Sequence, residues 1–295
     1  MNGAPLALDL AQLPMWLGSL FWAMGRVSGL FLIAPVFSAT VVSARIRIGM
    51  VVVLTLVLAP LAPTTIDLLS GEGVATMAGQ VLIGAAVGFV LKLVFEAVSF
   101  GGELVAQSMS LGFAEVVNPQ AGGSSTVLSQ FYLLLVTLLF LAMDGHLRLI
   151  ALLADSFHSL PPGTNVINAN GLHAVVAFGG ELFSGAVRVA LPAMTSLLVV
   201  NIGFAAISRA APSMNLFAVG FPITVSLGFI ALWLALRSLP GAFEALQGEA
   251  LSLMRNLTGS YESAHVGRQR PGENRRTYRK TPARIARERR GRAIA

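Results

Sequence analysis

The sequence predicts an all-α protein of the integral-membrane type, built from broken helices and hairpins. Three observations lead there. Only 12% of the 295 residues are charged while 55% are hydrophobic, and a water-soluble chain carries about 25% charge. Apolar runs approaching the roughly 20 residues that span a bilayer core recur along the chain. None of them alternates with the period of two that a membrane barrel strand requires.

Seven such runs follow one another, at residues 14–37, 48–62, 77–98, 127–143, 172–190, 194–207 and 216–236. The first is not expected to be a cleaved signal, because no Lys or Arg precedes it to form a positive n-region. It carries Gly25 and Gly29, and the third carries Gly84 and Gly88. Small residues four apart let helix backbones approach closely in membranes, although thirty glycines also produce such pairs by chance. Between the runs stand Pro60 and Pro63, Asn118-Pro119 with Gly122-Gly123, Pro161-Pro162-Gly163 and Pro240-Gly241, the usual punctuation of turns. Arg45 and Arg47 lie in the first inter-run loop and Asp67 and Glu72 in the second. The excess of bases on cytoplasmic loops then puts the first loop inside, and seven crossings would leave the C terminus inside too.

Ionisable groups inside apolar runs cost about 2.5–3.5 kcal/mol each on insertion scales, so each one asks for a partner or water. Lys92 and Glu96 are four apart and share a helix face, where they can pair; Glu181 and Arg188 also face one way. Arg26 has no local mate and must find one elsewhere. Internal neutralisation is the plain reading of these charges. The sharper one is an ion or proton relay in a secondary transporter for a small solute.

Residues 103–126 differ in kind. Ser108, Ser110, Gly112, Asn118, Pro119, Gly122 and Gly123 are strung among Met109, Leu111, Phe113, Val116 and Val117. The run is too broken for a stable spanning helix and too apolar for a watery loop. Irregular backbone in membrane proteins is tolerated where protein covers it or where it lines a cavity, so the residues fit a flexible apolar plug and a plain re-entrant connection equally. A second interrupted passage runs from Arg209 to Pro222, with Pro212, Met214, Asn215, Phe217, Gly220 and Phe221 between. Its two prolines predict a rigid corner between helices, either a hairpin turn or a partner contact.

Catalytic chemistry has no foothold. No phosphate loop, nucleophile elbow or zinc-protease motif occurs, cysteine is absent, and His146, His158, His173 and His265 are scattered. The Asp144-Gly145-His146 trio reads as a helix cap and turn, and no cofactor or metal is expected. After Gly259 the polymer changes: eleven of the twenty basic residues and three of the fourteen acidic ones fall there, giving the tail +8 and leaving −2 on residues 1–258. The expected organisation is an apolar helical body over 1–258 and an Arg-rich disordered tail over 259–295, in contact with lipid headgroups or solvent rather than nucleic acid.

Five segments together resemble the FliR family of flagellar export-gate subunits, related to virulence type III secretion. They are RVSGLFLIAPVF from Arg26, QVLIGAAVGF around Gly84, GELVAQSMSLGFAEVVNP from Gly102, LLFLAMDGHLRLIALLADSFHSLPPG from Leu138 and SRAAPSMNLFAVGFPITVSLG from Ser208. The resemblance implies a non-enzymatic inner-membrane subunit of the flagellar basal body. It would assemble with FliP and FliQ homologues, contact FlhB, and pass unfolded flagellar proteins. It further implies a FliP-like front part over about 1–190 and a FliQ-like hairpin over about 191–258, with much apolar surface buried against partner subunits. The family's plug loop maps onto residues 107–119, so Met109, Leu111, Phe113 and Val116 become the expected pore-closing side chains, with Gly112, Asn118 and Pro119 shaping the loop. Ser110 stands where a glycine is common, Asn118 where an Asp usually precedes the proline, and Ser213 where a glutamine is frequent.

Overall fold

A computed structural model describes residues 13–38, 42–63, 66–67, 70–111, 126–163, 169–210 and 216–268, without the side chains of residues 13–15, 169, 208, 216–219, 221 and 260–268. Every regular element among them is helical. In order these are α1 (Leu13–Ile33), the single turn α2 (Pro35–Ser38), α3 (Ala44–Leu58) with a 3-10 turn at Ala59–Leu61, and α4 (Gly71–Ser108). The chain continues through α5 (Val127–Ala142), α6 (Gly145–Ser159), α7 (Ala169–Ala210), α8 (Leu216–Ala235) and α9 (Leu239–Arg268).

Helix α4 is the mast of the fold. Its 38 residues make it about 57 Å long at 1.5 Å per residue. Ser70 starts it by accepting a hydrogen bond from the Gly73 amide at 3.0 Å, and Glu72 in the first turn complements the positive helix end. Helices α1, α5, α7 and α9 pack around it.

The two glycine pairs meet each other across α1 and α4. A Cβ on Gly84 would overlap the Arg26 carbonyl oxygen, one on Gly29 the Val81 carbonyl oxygen, and one on Gly88 would lie 3.0 Å from the Leu30 oxygen. The backbones therefore touch where side chains would otherwise hold them apart. Farther along, Gly101 and Gly102 admit α7 and α5 on opposite sides: added carbons would stand 3.0 Å from Ala186 O and from Leu128 O. Phe95 fixes the middle of the mast, edge-on to Phe140 of α5 at 5.4 Å and to Phe243 of α9 at 6.2 Å.

Two sharp bends complete the body. Helices α5 and α6 meet at 65°, with Asp144 at φ 55° between them, which is the turn expected of the Asp-Gly-His trio, although the Asp144 side chain makes no cap hydrogen bond. Helices α8 and α9 meet at 57°.

Three expectations need correction or adjustment. The runs 172–190 and 194–207 are one helix, α7, with Pro192 inside it. The hydroxyls of Thr195 and Ser196 bond back to the Leu191 and Pro192 carbonyls at 2.8 and 2.9 Å, the usual back-bonding of hydroxyls in a helix, and proline is tolerated within membrane helices. Among the described residues four helices are long and apolar enough to cross a membrane, or up to six if each bent pair counts as one, so the seven-crossing argument for the tail's side lapses. Pro222 likewise lies within α8 instead of ending it. Two boundaries read from sequence fall inside helices: position 190 inside α7 and position 259 inside α9.

Candidate functional site

The segment singled out as irregular springs from a tightly specified stem. Helix α4 ends at Ser108, whose hydroxyl turns back onto the Leu104 carbonyl at 2.8 Å. The Ser110 amide bonds to Gln107 O and the Leu111 amide to Ala106 O, both at 3.0 Å, while Ser110 itself adopts φ 62°. That is a Schellman cap, with a left-handed residue just past the helix that glycine fills most easily. The serine in a place where a glycine is common therefore sits in the one conformation that favours glycine.

On the far side, Thr126 caps α5 by accepting from the Ser129 amide at 3.2 Å. Glu103 joins the two sides. Its Oε2 accepts from the Thr126 amide at 3.1 Å and from the Thr126 hydroxyl at 2.7 Å, and its other oxygen faces the Gln107 amide group at 3.5 Å. A carboxylate one and a half turns before the end of α4 thus clasps the first residue after the segment. Sequence reading missed the clasp, although an acid before such a segment and a threonine after it were both in view.

Met109 is fully buried against α8. A Cβ on Gly228 would lie 2.6 Å from its Cε and 2.7 Å from its Cγ, so the missing side chain of Gly228 is the slot that receives Met109. Packed in that slot, Met109 anchors the stem to α8. Leu111 is half-buried against the same core. Gly112, Phe113, Val116, Asn118 and Pro119 lie outside the described residues.

The proline corner is described only at its edges. Arg209 is exposed at the end of α7, Gly220 is half-buried, and Pro222 is exposed within α8. Pro212, Met214 and Asn215 lie outside the described residues, as do the side chains of Phe217 and Phe221.

Of the five charges expected to be buried, one is. Arg26 is wholly enclosed and finds its partners far along its own chain. Its Nε donates to Gln80 Oε1 at 2.9 Å, Nη1 to Ser156 Oγ at 2.9 Å and Nη2 to the Leu160 carbonyl at 2.6 Å. The guanidinium also lies 4.0 Å over the Phe157 ring, a favourable cation–π distance. Arginine's planar fork of donors is thereby shared among α1, α4 and the end of α6, with neutral acceptors only. Those partners are 54, 130 and 134 residues away, beyond the reach of local spacing.

The other four do not converge. Lys92 and Glu96 are exposed, and Glu181 is half-buried and accepts from Ser184. Arg188 pairs instead with Glu249 of α9 at 3.1 Å, both ends more than 40% exposed, the kind of contact worth under about 1 kcal/mol in water. Among the described residues no group of three His, Asp or Glu side chains is placed to hold a metal ion.

The family described as bacterial export proteins, family 1, matches residues 17–250, from the start of α1 into α9. The chain belongs to that family. Relatives of this export family include flagellar biosynthetic protein FliR of Pectobacterium carotovorum, 37% identical over 250 residues, covering 84% of this chain and 96% of the relative. FliR of Escherichia coli K12 is 36% identical over 244 residues, covering 82% and 93%, and FliR of Caulobacter vibrioides 32% over 216, covering 72% and 85%. The resemblance read from five segments is thus met over most of the chain, and this is an all-α, membrane-type member of a flagellar export family.

Proposed function

We propose that the chain is a non-catalytic subunit of the flagellar type III export gate in the bacterial inner membrane. It joins FliP and FliQ homologues around a channel for unfolded flagellar proteins and meets FlhB at its margin. The front of the chain corresponds to the FliP-like part and the rear to the FliQ-like hairpin, and residues 107–119 close the conduit. The names of the relatives and the family's export description support this reading.

One observation carries it furthest. The apolar stretch of α7, Asn170–Ile207, is 38 residues long, and the 18-residue apolar window within it is only 17% buried within the chain. That rod is about 57 Å long, while the hydrocarbon core of a bilayer is about 30 Å thick. Lipid can therefore cover about half of it, and the remainder calls for protein of other subunits.

The experiment deletes residues 112–116 and leaves the Met109 anchor and the Glu103 clasp in place. FliP and FliQ homologues should still co-elute with the variant in mild detergent, and cells should become permeable to small ions and solutes. Normal co-elution with unchanged permeability overturns the plug. Loss of co-elution from the unaltered chain overturns the shared assembly.

A further inference from the structure

We infer that helix α3 is the lipid-contacting face of the chain, with Arg45 at the level of the phosphate headgroups. The inference stands apart from the plug and uses the partner reading of α7 only as its contrast.

Helix α3 has two sides. Thr55 and Leu58 are buried, and Met50, Val51 and Leu54 pack against the core beside them. The opposite arc carries Ile46, Ile48, Val52, Val53, Leu56 and Val57, all at least 49% exposed. At 100° per residue these six occupy one continuous half of the helix. The one polar side chain on this arc is Arg45, at its N-terminal end.

The open side of α7 is of another make. Among its exposed aliphatics stand Ser184, Arg188, Thr195, Ser196 and Asn201; the first four have partners within the chain, yet an exposed guanidinium and an exposed amide are costly to place in hydrocarbon and are accommodated more easily against neighbouring helices. Length separates the two helices again. The window Ala44–Leu61 has 18 residues and is 17% buried, so it measures about 27 Å, close to the roughly 30 Å of a bilayer core. The apolar stretch of α7, whose window is equally uncovered, is twice too long.

Charge fixes which end lies at the surface. The first turn of α3 holds no acid and Ser43 makes no side-chain cap, yet Arg45 stands there exposed. A cation at a helix N-terminus opposes the helix dipole by about 0.3–1 kcal/mol. The free amides and the guanidinium together form a positive end, complementary to headgroup phosphate, and arginine stems reach the interface from apolar positions.

Two glycines make the test symmetrical. A Cβ on Gly49 of α3 or on Gly203 of α7 meets nothing within 4 Å in the chain, so neither Gly49→Leu nor Gly203→Leu strains the fold. In full-length chain expressed with its partners, Gly49→Leu should leave co-elution of FliP and FliQ homologues unchanged, and Gly203→Leu should abolish it. The chain has no cysteine, so Ile46→Cys and Val53→Cys each carry a single fluorophore. In membranes from those cells, spin-labelled phospholipids should quench both. A headgroup-level nitroxide should act severalfold more strongly at residue 46, and a chain-end nitroxide at residue 53. Loss of assembly in Gly49→Leu, or a Val53→Cys label that no lipid quencher reaches, overturns the lipid face. Intact assembly in Gly203→Leu instead overturns the partner reading of α7 and leaves α3 standing, so the two failures are distinct.

Discussion

Helices α1 and α4 are as apolar as α7 in the ways that matter for insertion, yet their windows are each 56% buried within the chain while that of α7 is 17% buried. The difference lies in what the apolar residues meet. Between α1 and α4, glycines face glycines and leave backbone against backbone, with Arg26 locked beside the crossing. Along α7 a single seam of Ala186, Val189, Ala190, Ala193 and Leu197 is buried, and the rest of the circumference stays open. Hydropathy reports that a helix avoids water. Whether it hides in its own chain, in a neighbour or in lipid is set by small residues and by polar groups among the aliphatics.

If the closed half owes its order to these contacts, damage there should be large and damage on the open half small. Arg26→Ala should be the severest change, costing about 3 kcal/mol or more, because it strands the buried acceptors of Gln80 and Leu160 and leaves a cavity. A drop in the thermal midpoint in detergent, repeated by Arg26→Lys, which lacks the planar fork, checks it. Next comes Gly84→Ala, where one methyl against the Arg26 carbonyl should cost about 1–3 kcal/mol. The same measurement on Gly203→Ala should move by less than about 0.5 kcal/mol, and equal losses at the two glycines would erase the distinction between the halves.

The stem of the irregular segment gives the smaller effects. Thr126→Val removes the α5 cap and one bond of the Glu103 clasp, and should cost about 1–2 kcal/mol. It should also raise hydrogen exchange at the Ser129 amide without changing that at Val90 of the mast. Ser110→Gly should act in the other direction and stabilise by about 1 kcal/mol, since a left-handed L-residue costs about 1–2 kcal/mol. The thermal midpoint of the variant should rise.

Much of the helical plan was legible in the residues. The apolar runs mark the helices, and the Asp144-Gly145-His146 trio marks a bend. Gly25, Gly29, Gly84 and Gly88 were visible as two pairs, but nothing local says that one pair meets the other. Arg26 announced itself as costly. Its rescuers did not, because Gln80, Ser156 and a main-chain carbonyl carry no charge and come from distant turns. Pro192 and Pro222 misled because proline is better tolerated inside membrane helices than its penalty in water suggests. At the candidate site, composition identified the irregular run, while the burial of Met109 depended on a missing side chain at Gly228 in another helix.

The clasp between Glu103 and Thr126 has a consequence for how such a protein can vary. Because Glu103 ties the two roots together, α4 and α5 are held to each other by their own residues and not by the chain that joins them. Doubling the length of a flexible connection between two fixed ends costs only about 0.6 kcal/mol of closure entropy. An insertion after residue 111 should therefore leave the register of the two helices unchanged.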